Sequence, residues 1–316
     1  MAENDNGVSG GKSSQSIGLW VRAMRAPFFT AAIVPVILGA SVAYYDSGAF
    51  NLLYFILTTF GVVLLHAGGN MANDYFDFKS GADQLNKTPT PFSGGSRVLV
   101  DGLLKPGELL AAVILTSSLG LLIGLYLTLK FGAVLLVLAL LGVFGAYAYS
   151  APPLKLAYRG MGEVVVAIVF GPLIVIGSYY VQTGGFTIAP VAASPPIAIL
   201  IAAVLYINEF PDYAADKLAG KNQLIVIFGP KNAVKGYLLL LTAAYLSIVA
   251  CAALQVMPAP VLLGLLTLPG GLKAYKILKE HFENLQTLIP ANALTIKIHL
   301  QTGLLLCLGY IVAAFY

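Results

Sequence analysis

The chain has 316 residues, 58% of them apolar and only 10% charged, with a mean hydropathy of +0.85. Soluble domains carry nearer a quarter charged residues, so this composition excludes a water-soluble globular class and points to a polytopic membrane protein. The formal net charge of +4 is spread through short loops rather than gathered in one patch, which excludes a nucleic-acid interface.

Residues 1–16 are polar, rich in Gly and Ser, and are expected to form a disordered tail. They lack a positive n-region followed by a small-residue cleavage site, so the first apolar segment is expected to be a retained span. A span needs roughly 20 predominantly apolar residues. About nine segments qualify, at roughly 20–45, 51–72, 107–129, 131–149, 162–182, 187–208, 233–255, 258–278 and 293–316. Cys251 and Cys307 fall within apolar runs, without disulfide or metal spacing, and read as packing residues. The predicted fold class is all-α: one polytopic helical bundle over 17–316, embedded in a lipid bilayer.

Nine spans make the loops alternate sides. Seventeen of the eighteen Lys and Arg then share a side with the N-terminal tail, and Lys130 stands alone on the other. The positive-inside rule places that tail and those loops in the cytoplasm and the C-terminus outside, for a multi-pass protein of the cell membrane. Of the fourteen acids only Asp46 falls outside. Acids contribute little to the positive-inside rule, so their gathering on one face calls for chemistry there.

Two stretches concentrate those acids. "GGNMANDYFDFKSGADQLNK" covers 68–87, and "YINEFPDYAADKLAGKNQL" covers 206–224 at the end of the sixth segment. Each holds Asn-x-x-x-Asp, as Asn73 to Asp77 and Asn208 to Asp212, with a further Asp downstream at Asp83 and Asp216. The recurrence suggests an internal repeat of four helices. At about 100° per residue, His66, Asn70, Asn73, Asp74 and Asp77 share an arc of about 100°, and so do Asn208, Glu209, Asp212 and Asp216. Two such faces opposed in a low-dielectric site would repel unless cations neutralised them.

Carboxylate and amide oxygens without nearby Cys suit a hard cation, Mg²⁺, bound together with substrate phosphates. The candidate metal ligands are Asp74, Asp77, Asp83, Asp212 and Asp216, with Asn73 and Asn208 beside them. Acids solvated at a membrane surface are the competing reading, but paired sets with Asn at matching offsets favour a site. Arg25, Arg97, Lys155 and Arg159 are candidates for gripping phosphate oxygens, although positive-inside alone would also place basic residues in their loops.

The stretches "NDYFDFKSGAD" and "NEFPDYAADKLAGK", four spans apart, resemble the two aspartate-rich motifs of the UbiA superfamily of intramembrane prenyltransferases. The similarity extends through "FSGGSRVLVDGLL", "YRGMGEVVVAIVFGPLIVIGSYYVQTG" and "LIPANALTIKIHL", and is strongest toward the 1,4-dihydroxy-2-naphthoate prenyltransferase branch of menaquinone synthesis. It implies nine helices around a central cavity, capped on the cytoplasmic side by loops bearing the motifs. By position Asn73 and Asp77 match the first motif, and Asn208, Asp212 and Asp216 the second; these five are the candidate catalytic residues. The chain departs from many members at Gly81, where another Asp is common, and at Pro211, where Arg is common.

The implied reaction transfers a polyprenyl group from an allylic diphosphate to an aromatic acceptor resembling dihydroxynaphthoate, with loss of the ring carboxyl as CO₂. Mg²⁺ would bridge the diphosphate, Asn73, Asn208 and the basic residues would bind it, and aromatic faces would shield the allylic cation. Tyr149 and Tyr147 are the principal aromatic candidates, with Phe76, Tyr179 and Tyr180 beside them; for any single one interfacial anchoring is the favoured reading. No base is assigned to His66, His281 or His299. Other acceptors, 4-hydroxybenzoate or homogentisate, and an ion-coupled transporter remain alternatives.

Overall fold

The computed structural model describes residues 9–316. Residues 1–8 of the expected tail lie outside the described residues, and the rest of it enters a helix, Ser9–Ala23. Among the described residues nine helices are long and apolar enough to cross a membrane: Ala26–Ser47, Leu52–Ser80, Pro106–Phe131, Ala133–Ser150, Gly162–Thr183, Ala189–Asn208, Pro230–Ala253, Ala259–His281 and Leu285–Ala313. No strand is present among those residues. They are called the first to ninth spans below.

Local chemistry sets the boundaries that matter for function. Arg25 adopts φ 51, which breaks the N-terminal helix and starts the first span on a new axis with Pro27 in its first turn. The second span was expected to end near 72 but continues to Ser80. Its acidic stretch holds no breaker before Gly81, whose φ of 83 is the left-handed end that glycine accommodates without a Cβ penalty. Asp74 and Asp77 therefore ride on rigid helix. In the fifth span a π-helical turn, Val169–Leu173, absorbs Pro172, which cannot donate a backbone hydrogen bond. Gly171 in that turn leaves no room for a Cβ against Ala198, so the fifth and sixth spans approach closely.

The first and sixth spans are the most enclosed. The first packs against the second, fifth and ninth, and the sixth against the fifth, seventh and ninth. Large apolar side chains of the third and fourth spans, among them Leu122, Leu129, Leu140 and Phe144, are exposed, as lipid-facing residues are.

The two sides of the bundle differ. Around the sixth to ninth spans lies a solid core containing Tyr237, Ile248, Leu278 and Leu306. Buried hydroxyls there pair with one another, Tyr237 with Thr295 at 2.6 Å and Thr267 with Thr302 at 2.6 Å, as polar groups inside a membrane bundle do. The first to sixth spans instead enclose a cavity, and the last three spans contribute nothing to its walls.

Candidate active site

Both acidic clusters end their spans on one side of the bundle and are tied to each other by direct contacts. Asn86, in the loop after the second span, donates from Nδ2 to Asp212 Oδ1 at 2.7 Å, and the Gly94 N–H of that loop donates to Asp212 Oδ2 at 3.0 Å. From the other direction Lys221 reaches back to Asp77 Oδ2 at 3.2 Å and lies 3.9 Å from Asp216 Oδ1. Tyr158, from the loop between the fourth and fifth spans, donates to Asp77 Oδ1 at 2.8 Å. The loops thus interlock above the two helix ends.

The second cluster is not one continuous helix face. The sixth span stops at Asn208, Pro211 prevents regular continuation, and a short helix, Tyr213–Leu218, carries Asp216. Asp212 sits at the start of that short helix.

Each carboxylate has its own surroundings. Asp74 is buried, paired with Arg25 and accepting from the Ser96 N–H at 3.1 Å, so both oxygens are held by the protein. A Cβ at Gly95, where φ is 71, would come within 3.2 Å of Arg25, Asp74 and Asp83, which explains a glycine at that position. Burial pushes the Asp83 carboxyl up to about 8, with Asp77 and Asp74 adding to the rise. Burial likewise raises Asp216 to about 7, against the pull of Lys221 and with help from Asp212 and Asp77. Asp212 is raised by burial too, opposed by Lys221 and the Gly94 N–H. Burial alone would lower the Lys221 ammonium, but Asp77 and Asp216 outweigh it and hold it charged.

The remaining sequence candidates separate clearly. Asn73, Asp77, Asp83, Asn208, Asp212, Asp216, Arg25 and Tyr149 line the cavity. Arg97, Lys155, Arg159 and Tyr147 do not. Arg97 is occupied by Asn86 O and Asp101, and Arg159 by Pro153 O. Lys155 lies over the Tyr158 ring, and Tyr147 is half exposed with its hydroxyl on Pro152 O. Tyr179 and Tyr180 are at the opposite end of the fifth span, about 25 Å along the helix from its start, bonded to Asp46 and to Phe131 O.

Lys221, Asn86, Tyr158 and Glu209 were not singled out by the sequence as site residues. A basic residue in such a loop is what positive-inside alone would put there, which hid Lys221. It supplies a positive charge beside the second motif.

The cavity has a volume of about 370 Å³. Its mouth is the polar rim just described, and its walls are apolar: Val62, Leu65, Ile123, Leu138, Val169 and Phe170. It follows the fourth span from Tyr149 down to Leu135, about 20 Å at the helical rise. His66 lies on the wall between the rings of Phe29 and Phe170. The whole is a charged head pocket leading into a long apolar channel.

No three carboxylates among the described residues stand close enough to form a ready-made metal cage. The donor chemistry nonetheless fits a hard cation. Asp216 Oδ2 is buried without a hydrogen-bond partner, and burial raises the Asp83 and Asp216 carboxyls. A divalent ion held there together with a substrate's phosphates would meet both needs.

Comparison with known proteins agrees with this geometry. The profile of the UbiA prenyltransferase family matches residues 32–285. UbiA prenyltransferase domain-containing protein 1 of Danio rerio is 32% identical over 297 residues, 93% of this chain and 84% of that one. The 2-carboxy-1,4-naphthoquinone phytyltransferase of Synechocystis sp. is 29% identical over 294 residues, 92% of each chain. The 1,4-dihydroxy-2-naphthoate octaprenyltransferase of Bacillus subtilis is 28% identical over 304 residues, 96% of this chain and 95% of that one.

Among solved structures, a UbiA homolog from Aeropyrum pernix K1 superposes with TM-score 0.67 at 19% identity, covering 90% of this chain and 98% of that one. A UbiA homolog from Archaeoglobus fulgidus bound to DMAPP and Mg²⁺ superposes with TM-score 0.64 at 18% identity, covering 91% and 98%. At such identities these two establish the shared fold. With the family profile spanning most of its length, the chain belongs to the UbiA prenyltransferase family and is an integral-membrane prenyltransferase.

Proposed function

We propose that this enzyme transfers a polyprenyl group from an allylic diphosphate to an aromatic acceptor of the 1,4-dihydroxy-2-naphthoate type, with loss of the ring carboxyl, in menaquinone synthesis. One observation carries the reading: carboxylates from two separate helix ends meet at the polar mouth of a long apolar cavity. The naphthoate and naphthoquinone substrates in the names of the Bacillus and Synechocystis relatives support the acceptor class.

Asp77, Asp83, Asp212 and Asp216 would hold Mg²⁺, which when bound neutralises the diphosphate and stabilises it as a leaving group. Asp74, already held by Arg25 and Ser96, would shape this set rather than join it. Lys221, charged and facing the cavity, would take part of the negative charge that develops on the departing pyrophosphate. Asn73 keeps the Asp77 carboxylate in place by donating to Oδ2 at 3.2 Å. The apolar walls would receive the prenyl tail and exclude water from the allylic cation, and the Tyr149 ring, which lines the cavity, would shield that cation. The acceptor ring would then attack the cation and lose CO₂. The site would face the cytoplasm, which the distribution of Lys and Arg supports.

The test is purified enzyme with Mg²⁺ and a long-chain prenyl diphosphate, offered dihydroxynaphthoate, 4-hydroxybenzoate and homogentisate side by side. Prenylated naphthoquinol with stoichiometric pyrophosphate and CO₂ is the expected product. Turnover confined to another acceptor would overturn the naphthoate assignment and leave the prenyl transfer standing.

A further inference from the structure

The end of the sixth span contains a hydrogen-bond relay that sets what Asn208 can offer a ligand. In a regular helix the Ile207 carbonyl would accept from the N–H of residue 211. Residue 211 is proline, so that donor does not exist. Asn292, fully buried in the ninth span, supplies the missing donor. Its Nδ2 donates to Ile207 O at 3.0 Å and, with its second hydrogen, to Asn208 Oδ1 at 2.8 Å.

The amide orientations follow from this. A backbone carbonyl only accepts, so the Asn292 atom facing Ile207 must be the NH₂ group; reversed, two oxygens would face each other. The Asn208 atom that meets the same NH₂ must then be its oxygen. The arrangement has a cost, because Asn292 Oδ1 is left buried without a partner. What remains of Asn208 for the cavity it lines is Nδ2, a pure donor.

The matching residue of the first cluster differs. Asn73 Oδ1 faces Arg25 at 3.4 Å and its Nδ2 donates to Asp77, so both ends are held by protein.

We propose that Asn208 donates a hydrogen bond to the diphosphate oxygens of the prenyl donor and is not an oxygen ligand of the metal, and that Asn292 is the positioning residue holding it in that sense. The inference rests on the reading of the cavity mouth as a prenyl diphosphate site and deepens it. It gives the repeated Asn-x-x-x-Asp pattern two different jobs, bracing a carboxylate in the first cluster and meeting substrate in the second. It also gives Pro211 a role, since its missing N–H frees the carbonyl that orients Asn292.

The decisive variant is Asn208→Asp, isosteric but with an anionic oxygen in place of the donor. Calorimetry on full-length protein in nanodiscs would measure binding of Mg²⁺ alone, and of an unreactive prenyl thiolodiphosphate at saturating Mg²⁺. The expected result is analogue binding weakened at least about tenfold, with Mg²⁺ binding no weaker than in the wild type. Analogue binding equal to or tighter than wild type would overturn the donor assignment, as would a loss explained by weaker Mg²⁺ binding. A wild type that fails to bind the analogue would instead sink the diphosphate reading itself.

For Asn292→Ala the KM for the prenyl donor should rise several-fold with kcat changed less. The same substitution added to Asn208→Ala should raise it no further. Fully additive effects would mean that Asn292 acts on stability alone and not through Asn208.

Discussion

Lys221 stands with Nζ 3.2 Å from Asp77 Oδ2, so one buried ammonium joins the end of the second span to the loop beyond the sixth. The pair is separated by 144 residues in sequence. It brings a positive charge into a rim that otherwise crowds carboxylates. Lys221→Met should therefore lower kcat/KM for the prenyl diphosphate by about a hundredfold, with Lys221→Arg recovering part of the loss. Steady-state kinetics with varied donor checks this, and a wild-type KM in the Met variant would speak against a role in binding.

Arg25, a candidate for gripping phosphate, lines the cavity and pairs through one guanidinium nitrogen with buried Asp74. Removing one partner of such a pair leaves an uncompensated charge, at a cost of about 3–5 kcal/mol. Arg25→Ala should thus lower the thermal midpoint clearly, and Asp74→Asn in the same chain should restore part of it. An Arg25→Ala protein with unchanged melting would mean the pair contributes little to the fold.

The raised carboxyls make the metal-free protein sensitive to pH in a defined direction. Asp83 at about 8 and Asp216 at about 7 bind protons in the folded state that the unfolded chain has already released above its usual carboxylate range. The folded state thus holds more protons between about pH 4 and 8, and stability falls as pH rises through that window. Melting in EDTA should decline from pH 5 to 8 and then level off. Added Mg²⁺ should displace those protons and flatten the decline, most visibly above pH 7.

The channel itself can be tested from its walls. Gly124 lines it, and a Cβ there meets nothing within 4 Å. Gly124→Phe should fill the lower channel without straining the third span. Turnover of long prenyl diphosphates should fall steeply while five- and ten-carbon donors are still used. A uniform loss across donor lengths would place the tail elsewhere.

Much of this was visible in the sequence because it depends on local pattern. Apolar runs of span length and the sidedness of Lys130 against the other basic residues gave the nine-span bundle, and the repeated Asn-x-x-x-Asp gave the two clusters. What stayed hidden depends on contacts between remote segments. Helical periodicity put Asp212 and Asp216 on one face with Asn208, whereas Pro211 breaks the helix between them. Span boundaries drawn from hydropathy ended the second helix two turns early, because charge at a helix end looks like loop. Tyr179 and Tyr180 stand beside Ser178 and Val181, which line the cavity, yet their own hydroxyls bond Asp46 and Phe131 O, a difference that apolar pattern alone does not reveal. Lys221 looked like any other loop lysine until folding set it between two aspartates.

The central claim is that Asp77 and Asp212, from helix ends four spans apart, act on one diphosphate. Its most direct test is pyrophosphate release by Asp77→Asn and Asp212→Asn, each assayed with Mg²⁺, a long-chain prenyl diphosphate and dihydroxynaphthoate, and each checked for wild-type melting. Both should lose at least about a hundredfold in rate while remaining folded. Near wild-type release by either folded variant would contradict the claim.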